Sequence, residues 1–149
     1  MSGLSPSAVG PTPKLQPLIL GLDPGRDKCG LAVMGADHVV HWHQVITAAQ
    51  VIESIETLYQ TYPISLLVMG NQTTSREWDQ KLRHHFSSSL RMVKVDERYS
   101  TLEARSKFWQ MYPPKGLGGL IPRRLRSINR PIDDIVAIIL IERYLVSMT

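Results

Sequence analysis

The run Ile135-Val136-Ala137-Ile138-Ile139-Leu140-Ile141 is apolar on every side of a helix. A helix without a polar face has to be buried, so its N-terminus is fixed against the rest of the core. Two acids, Asp133 and Asp134, open it. Acids in a first turn are favoured by the helix dipole alone. Rigid placement behind them is also what a metal ligand needs.

Two other apolar runs end on acids. Leu18-Ile19-Leu20-Gly21-Leu22 closes on Asp23, and Met92-Val93-Lys94-Val95 closes on Asp96 and Glu97. Carboxylates that stop strands or start helices can converge at one edge of a sheet. Gathered there they repel each other and cost stability unless a cation lies between them. Hard oxygen donors suit Mg²⁺ or Mn²⁺. The chain around them is basic, with a net charge of +4 and a pI of about 9.4, which suits a polyanionic partner. Acids around Mg²⁺ in a basic protein point to phosphodiester chemistry.

Residues 1–17 hold Pro6, Pro11, Pro13 and Pro17 among Ser and Gly, and read as a flexible leader to a domain at 18–149. Strands are expected at 18–23, 29–34, 39–46, 64–69 and 92–95, the first two joined by a turn at 24–28. Helices are expected at 47–62, 75–86, 100–111 and 131–145, by apolar spacing. Thr47 is the expected N-cap of the first helix, and Ser100 or Thr101 that of the third. Pro63 and Pro113-Pro114 stop helices. The order β-β-β-α-β-α-β-α-α is α/β: a hairpin-led, mixed five-stranded sheet with helices on both faces.

The 149 residues are a single-domain length, and 43% apolar content is enough for one core. One cysteine, Cys29, excludes an internal disulfide and fits a reducing compartment. No apolar run reaches the roughly 18 residues of a membrane span, and the N-terminus lacks a secretory pattern. The expected location is the cytoplasm, with no membrane partner.

The turn Asp23-Pro24-Gly25-Arg26-Asp27-Lys28 delivers a carboxylate from a strand end. Gly25 is free to take a positive φ and let backbone approach a phosphate, and Arg26 and Lys28 can meet its oxygens. An ordinary hairpin turn accounts equally well for these residues. A third reading is a nucleotide-phosphate loop like that opening the actin-like sugar kinases, though the chain lacks length for their second lobe. Asp96 and Glu97 point to opposite sides if extended, so one of them faces a metal, while Arg98 pairs with the other or reaches a phosphate. Between 105 and 130 the chain carries Arg105, Lys107, Lys115, Arg123, Arg124, Arg126 and Arg130 with no acid. This basic stretch, Gly-rich and expected to be irregular over 115–130, reads as a phosphate-backbone clamp or as a solvated loop. His41-Trp42-His43 and His84-His85 have no third ligand in a metal pattern, and their expected roles are structural.

Together, Gly-Leu-Asp-Pro-Gly-x-x-Lys-x-Gly-Leu-Ala-Val at 21–33, Val-Asp-Glu-Arg-Tyr-Ser-Thr-Leu-Glu-Ala at 95–104 and Ile-Asp-Asp-Ile-Val-Ala-Ile-Ile-Leu at 132–140 resemble the YqgF family. Its members are also described as RuvX-type Holliday junction resolvases and pre-16S ribosomal RNA processing nucleases. The resemblance covers 18–145 and implies a ribonuclease-H-like fold. By that resemblance Asp23 is the strand-one metal ligand and Glu97 the second acid. Asp133 is the last-helix acid, because Ala137 aligns with the family's buried alanine. Asp134 is an extra acid. RuvC resolvases place an acid at the end of the fourth strand where this chain has Gly70, which leaves Glu97 to supply the ligand. The family's Gly-Leu-Pro and Met-Asp-Gly segments are replaced here by Gly70-Asn71-Gln72-Thr73-Thr74-Ser75.

The implied function is a Mg²⁺- or Mn²⁺-dependent endonuclease. Asp23 bridges two ions about 3.5–4 Å apart, and Glu97 and Asp133 each complete one. Arg26, Lys28 and Arg98 hold the backbone near the cut, with Arg123, Arg124 and Arg126 on the flanking strand. The implied substrate is structured RNA in pre-16S maturation, with branched DNA, a Holliday junction, as the alternative. A nucleic-acid-binding protein with weak or no catalysis is the competing class. Either a monomer or a homodimer fits.

Overall fold

A computed structural model of the chain describes residues 16–149 apart from 73, 123 and 124. The leader expected at 1–17 falls almost wholly outside them. The strands are β1 (Leu18–Asp23), β2 (Lys28–Gly35), β3 (Val40–Thr47), β4 (Ile64–Gly70) and β5 (Met92–Val95). They form one sheet in the order β3-β2-β1-β4-β5. β2 is antiparallel to β1 and β3, whereas β1, β4 and β5 run parallel. The helices are α1 (Val51–Thr61), α2 (Ser75–Phe86), α3 (Ser100–Met111) and α4 (Asp133–Ser147). This is the mixed five-stranded α/β layout, with helices on both faces, expected from the sequence.

Both faces of the sheet are covered, which is why β1 is an unbroken apolar run rather than an alternating one. Leu18, Leu20 and Leu22 pack with Val51 and Ile55 of α1 and with Trp78 and Leu82 of α2. Ile19, Ala32 and Val68 face the other way, against α4 and Ala104 of α3. Residues 134–141 of α4 are all buried, as an all-round apolar helix demands.

The closeness of α4 to the sheet depends on two glycines. A Cβ at Gly21 would stand 2.5 Å from the Ala137 carbonyl oxygen, and one at Gly30 would stand 1.8 Å from that of Asp133. Their missing side chains let the helix backbone lie directly on β1 and β2.

Several local expectations need correction. Thr47 ends β3 and does not cap α1: a 3-10 turn, Ala48–Gln50, comes first, and the Thr47 hydroxyl donates to Gln50 Oε1 at 3.2 Å. α3 begins at Ser100 without a side-chain cap, behind Tyr99 in the left-handed region at φ 62°. α4 runs Asp133–Ser147 rather than 131–145, and the Ile132 carbonyl accepts from the N–H groups of Ile135 and Val136. The segment 115–130, expected to be irregular, contains a 3-10 helix at Gly116–Leu120. Among the described residues no helix is long and apolar enough to cross a membrane.

Candidate active site

Asp23 is the last residue of β1 and lies on the α4 face of the sheet, in step with Ile19 and Gly21. Its register partner on β2 is Gly30. On the β4 side, Leu22 pairs with Met69, so Asp23 comes level with Gly70. The carboxylate thus stands between two glycines. Asp133 backbone covers the first, and the Glu97 carboxyl fills the space above the second, 2.5 Å from where a Gly70 Cβ would be. A side chain at either position would displace a neighbouring acid.

The three acids named from the sequence therefore come together at the carboxyl edge of β1, β4 and β5. Asp23 is the hub, in hydrogen-bonding contact with both Glu97 and Asp133. Burial, then the charges of Glu97 and Asp133, push its carboxyl up to about 8. Burial is also the main cause of the upward shift at Glu97, where the Gln72 N–H, 2.8 Å from Oε1, acts in the opposite direction. At Asp133 burial and the neighbouring Asp134 raise the pKa, and the Lys28 charge lowers it. Among the described residues, no group of three or more His, Cys, Asp or Glu forms a ready metal cage; these acids meet pairwise, through Asp23.

Asp96 and Glu97 divide as two adjacent residues at a strand end should. Glu97 is 5% exposed and faces the hub. Asp96 faces solvent and takes the Arg98 guanidinium at 2.9 Å. The 70–75 loop, atypical for the family in the sequence, supplies the Gln72 N–H to Glu97. It also ties down the 24–28 turn, as Thr74 Oγ1 donates to the Pro24 carbonyl at 3.1 Å, and Trp78 Nε1 of α2 adds a bond to that of Gly25 at 2.9 Å. Gly25 is not among the positive-φ glycines. It is required because a Cβ there would meet the Lys28 carbonyl at 2.0 Å. Arg26 and Lys28 point outward from this braced turn and are exposed. Cys29 is buried beneath it, with its thiol pushed up to about 11 chiefly by burial.

Asp134, in the first turn of α4, has partners of its own. It is 2% exposed and pairs with His43 Nδ1 at 2.6 Å and Arg130 Nη1 at 3.0 Å. The Tyr112 hydroxyl meets the other His43 nitrogen at 3.2 Å. His43 is structural, as expected, and it anchors the first turn of α4 to edge strand β3. A strand His and a doubled acid were the only trace of this pairing in the sequence. In the basic segment, Arg123 and Arg124 lie outside the described residues. Arg126 is turned inward: it donates to the carbonyls of Ile121 (2.7 Å) and Gly119 (3.2 Å) and lies 5.4 Å from the Trp109 ring.

Comparison with known proteins identifies the family of the chain. A family profile described as RuvX, Holliday junction resolvase, matches residues 17–147. A protein of Sulfurihydrogenibium sp. (strain YO3AOP1), provisionally named a pre-16S rRNA nuclease, is 24% identical over 140 residues, covering 85% of this chain and 88% of its own. A solved structure from Cytophaga hutchinsonii, provisionally described as a sugar kinase, aligns over 59% of this chain at 14% identity and a TM-score of 0.41. This chain spans 38% of that protein's length.

Proposed function

Because this chain belongs to the RuvX family of Holliday junction resolvases, a family of nucleases, we propose that Asp23, Glu97 and Asp133 form its catalytic centre and that the centre works with Mg²⁺ or Mn²⁺. The observation that carries this reading is the hub: a carboxyl raised to about 8, flanked by two further acids. The donor set fits a hard divalent cation, since every donor is a carboxylate oxygen and the repulsion that adds to burial in raising Asp23 is what a cation would relieve. Bound there, divalent cations activate water and stabilise the departing 3′ oxygen.

The chain's own residues contribute placement. Asp23 stands between the other two acids and is the one that both can share. Gln72 orients Glu97 through a backbone N–H, and α4 fixes Asp133 through buried packing. Lys28, whose charge is felt at Asp133, and Arg26 flank the acids from the braced turn and attract the phosphate backbone. Arg98 is committed to Asp96, so its contact with a phosphate requires an exchange of partners.

The substrate we infer is structured RNA in pre-16S maturation, in the cytoplasm, in line with the name of the relative above. Branched DNA is the second reading, favoured by the family's description. Incubation with precursor ribosomal RNA, four-way junction DNA and single strands, with and without Mn²⁺, decides between them. Cleavage of the RNA alone supports the first, cleavage of the junction alone supports the second, and metal-independent cleavage removes the proposed centre.

A further inference from the structure

Tyr99 is the residue the catalytic reading leaves unused. It is 76% exposed and held in the left-handed region, φ 62°, where Gly or Asn is usual and a bulky ring is an outlier. It lines the same hollow of about 300 Å³ as Asp23 and Glu97. Leu102, one turn on in α3 and 65% exposed, lines it too. The lining of this hollow therefore combines two carboxylates with an aromatic ring and a leucine. Burial explains neither apolar side chain. On its other side Tyr99 borders a second hollow of about 560 Å³ that Lys94, Arg98 and Arg143 also line. Their charges are matched by Asp79, Asp96 and Glu103, so that side directs a polyanion without gripping it.

We propose that Tyr99 is a stacking platform for an unpaired nucleobase next to the scissile phosphate, so that the site takes an unstacked, single-stranded nucleotide. The proposal rests on the nuclease reading above and names the form of nucleic acid it accepts. A phosphate drawn beside the acids by Arg26 and Lys28 carries its base on the adjoining sugar, and Tyr99 is the aromatic residue that lines the same hollow. Every base has a π face, so such a contact tolerates sequence. A base inside a duplex has both faces covered and cannot offer one.

The test is binding, separated from catalysis by using the full chain with Asp23→Asn in EDTA. The probe is a single-stranded oligonucleotide with one 2-aminopurine, moved along the strand, and a matching set with an abasic site in its place. With Tyr99 present, 2-aminopurine fluorescence is quenched at one register, and Tyr99→Phe and Tyr99→Trp keep the quench. Tyr99→Asn tolerates the left-handed backbone while removing the ring; it loses the quench and binds roughly 5- to 150-fold more weakly. On the abasic strand the Tyr99→Asn variant binds as well as the protein that keeps Tyr99. Retained quench and affinity in Tyr99→Asn, or equal weakening on the abasic strand, overturns the platform. Absence of any binding by the protein that keeps Tyr99 also overturns it. A quench that behaves as expected, in a protein that cuts no substrate, leaves the platform standing and removes the nuclease reading alone.

Discussion

The Glu97 carboxyl occupies the space a side chain at Gly70 would fill: a Cβ there would stand 2.5 Å from its carboxyl carbon. The end of β4, where RuvC resolvases carry an acid, is here open room into which an acid from beyond the next strand reaches. Gly70→Ala therefore pushes Glu97 aside by the free end of a flexible side chain. Stability should change by less than about 1 kcal/mol, whereas turnover should fall by about a hundredfold or more, because catalytic groups tolerate little displacement. Melting temperature and kcat, measured together, check this. A variant with unchanged kcat would place Glu97 outside the machinery.

Asp133 and Asp134 should separate in a way that adjacent acids seldom do. Asp133→Asn removes a crowded carboxyl, so activity is lost and the metal-free melting temperature holds or rises. Asp134→Asn strips His43 and Arg130 of a buried partner. It should cost about 1–3 kcal/mol, with activity falling mainly through misplacement of Asp133. Raised melting temperature in Asp134→Asn would contradict the anchoring role.

The metal-free protein should lose stability as pH rises. Asp23 has a folded pKa of about 8 against an ordinary 3.8. Between those values the folded state holds a proton that the unfolded chain has released, so unfolding becomes easier with each step up in pH. In EDTA the melting temperature should fall from pH 5 to pH 8. Asp23→Asn should flatten that slope and stand higher at pH 8 by roughly 3–6 °C. Mg²⁺ or Mn²⁺ should restore the wild-type protein at pH 8 and leave Asp23→Asn unmoved. A flat profile for the wild type would show that Asp23 is not crowded.

The sheet and its acids were legible because they depend on local chemistry. Buried strands read as apolar runs, prolines and glycines punctuate them, and an all-apolar helix has one place to go. What stayed hidden depends on partners far along the chain. His43 and Asp134 are 91 residues apart, and no spacing rule links a strand histidine to a helix acid. Gly70 read as a missing acid, when its role is the room it leaves. Gly30 and Gly70 both lie level with Asp23, a pattern that signals close approach only once the register is known. The start of α1 was misplaced because a 3-10 turn precedes it, and that of α4 because the Ile132 carbonyl takes its first bonded N–H groups.

The basic segment should not act as one unit. Arg126 braces its own loop through two carbonyls and the Trp109 ring, so Arg126→Ala should loosen the loop and leave the salt dependence of binding nearly unchanged. The Arg123→Ala, Arg124→Ala double variant should weaken binding to unrelated sequences alike. Its log–log salt slope should be shallower by roughly 0.7–0.9 for each phosphate that is no longer neutralised. Affinity across a salt series on two sequences distinguishes them, and equal slopes in all three proteins would return the segment to a solvated loop.

The central claim is that Asp23 joins two acids into one metal-dependent nuclease centre. Its most direct test is the rate of cleavage of precursor 16S RNA in Mn²⁺ by wild type and Asp23→Asn, with binding measured alongside. The account predicts cutting by the wild type and a fall of about a thousandfold or more in the variant, with affinity for RNA retained. Equal cutting by the two proteins would contradict it, as would a wild type that cuts neither this RNA nor a four-way junction in Mg²⁺ or Mn²⁺.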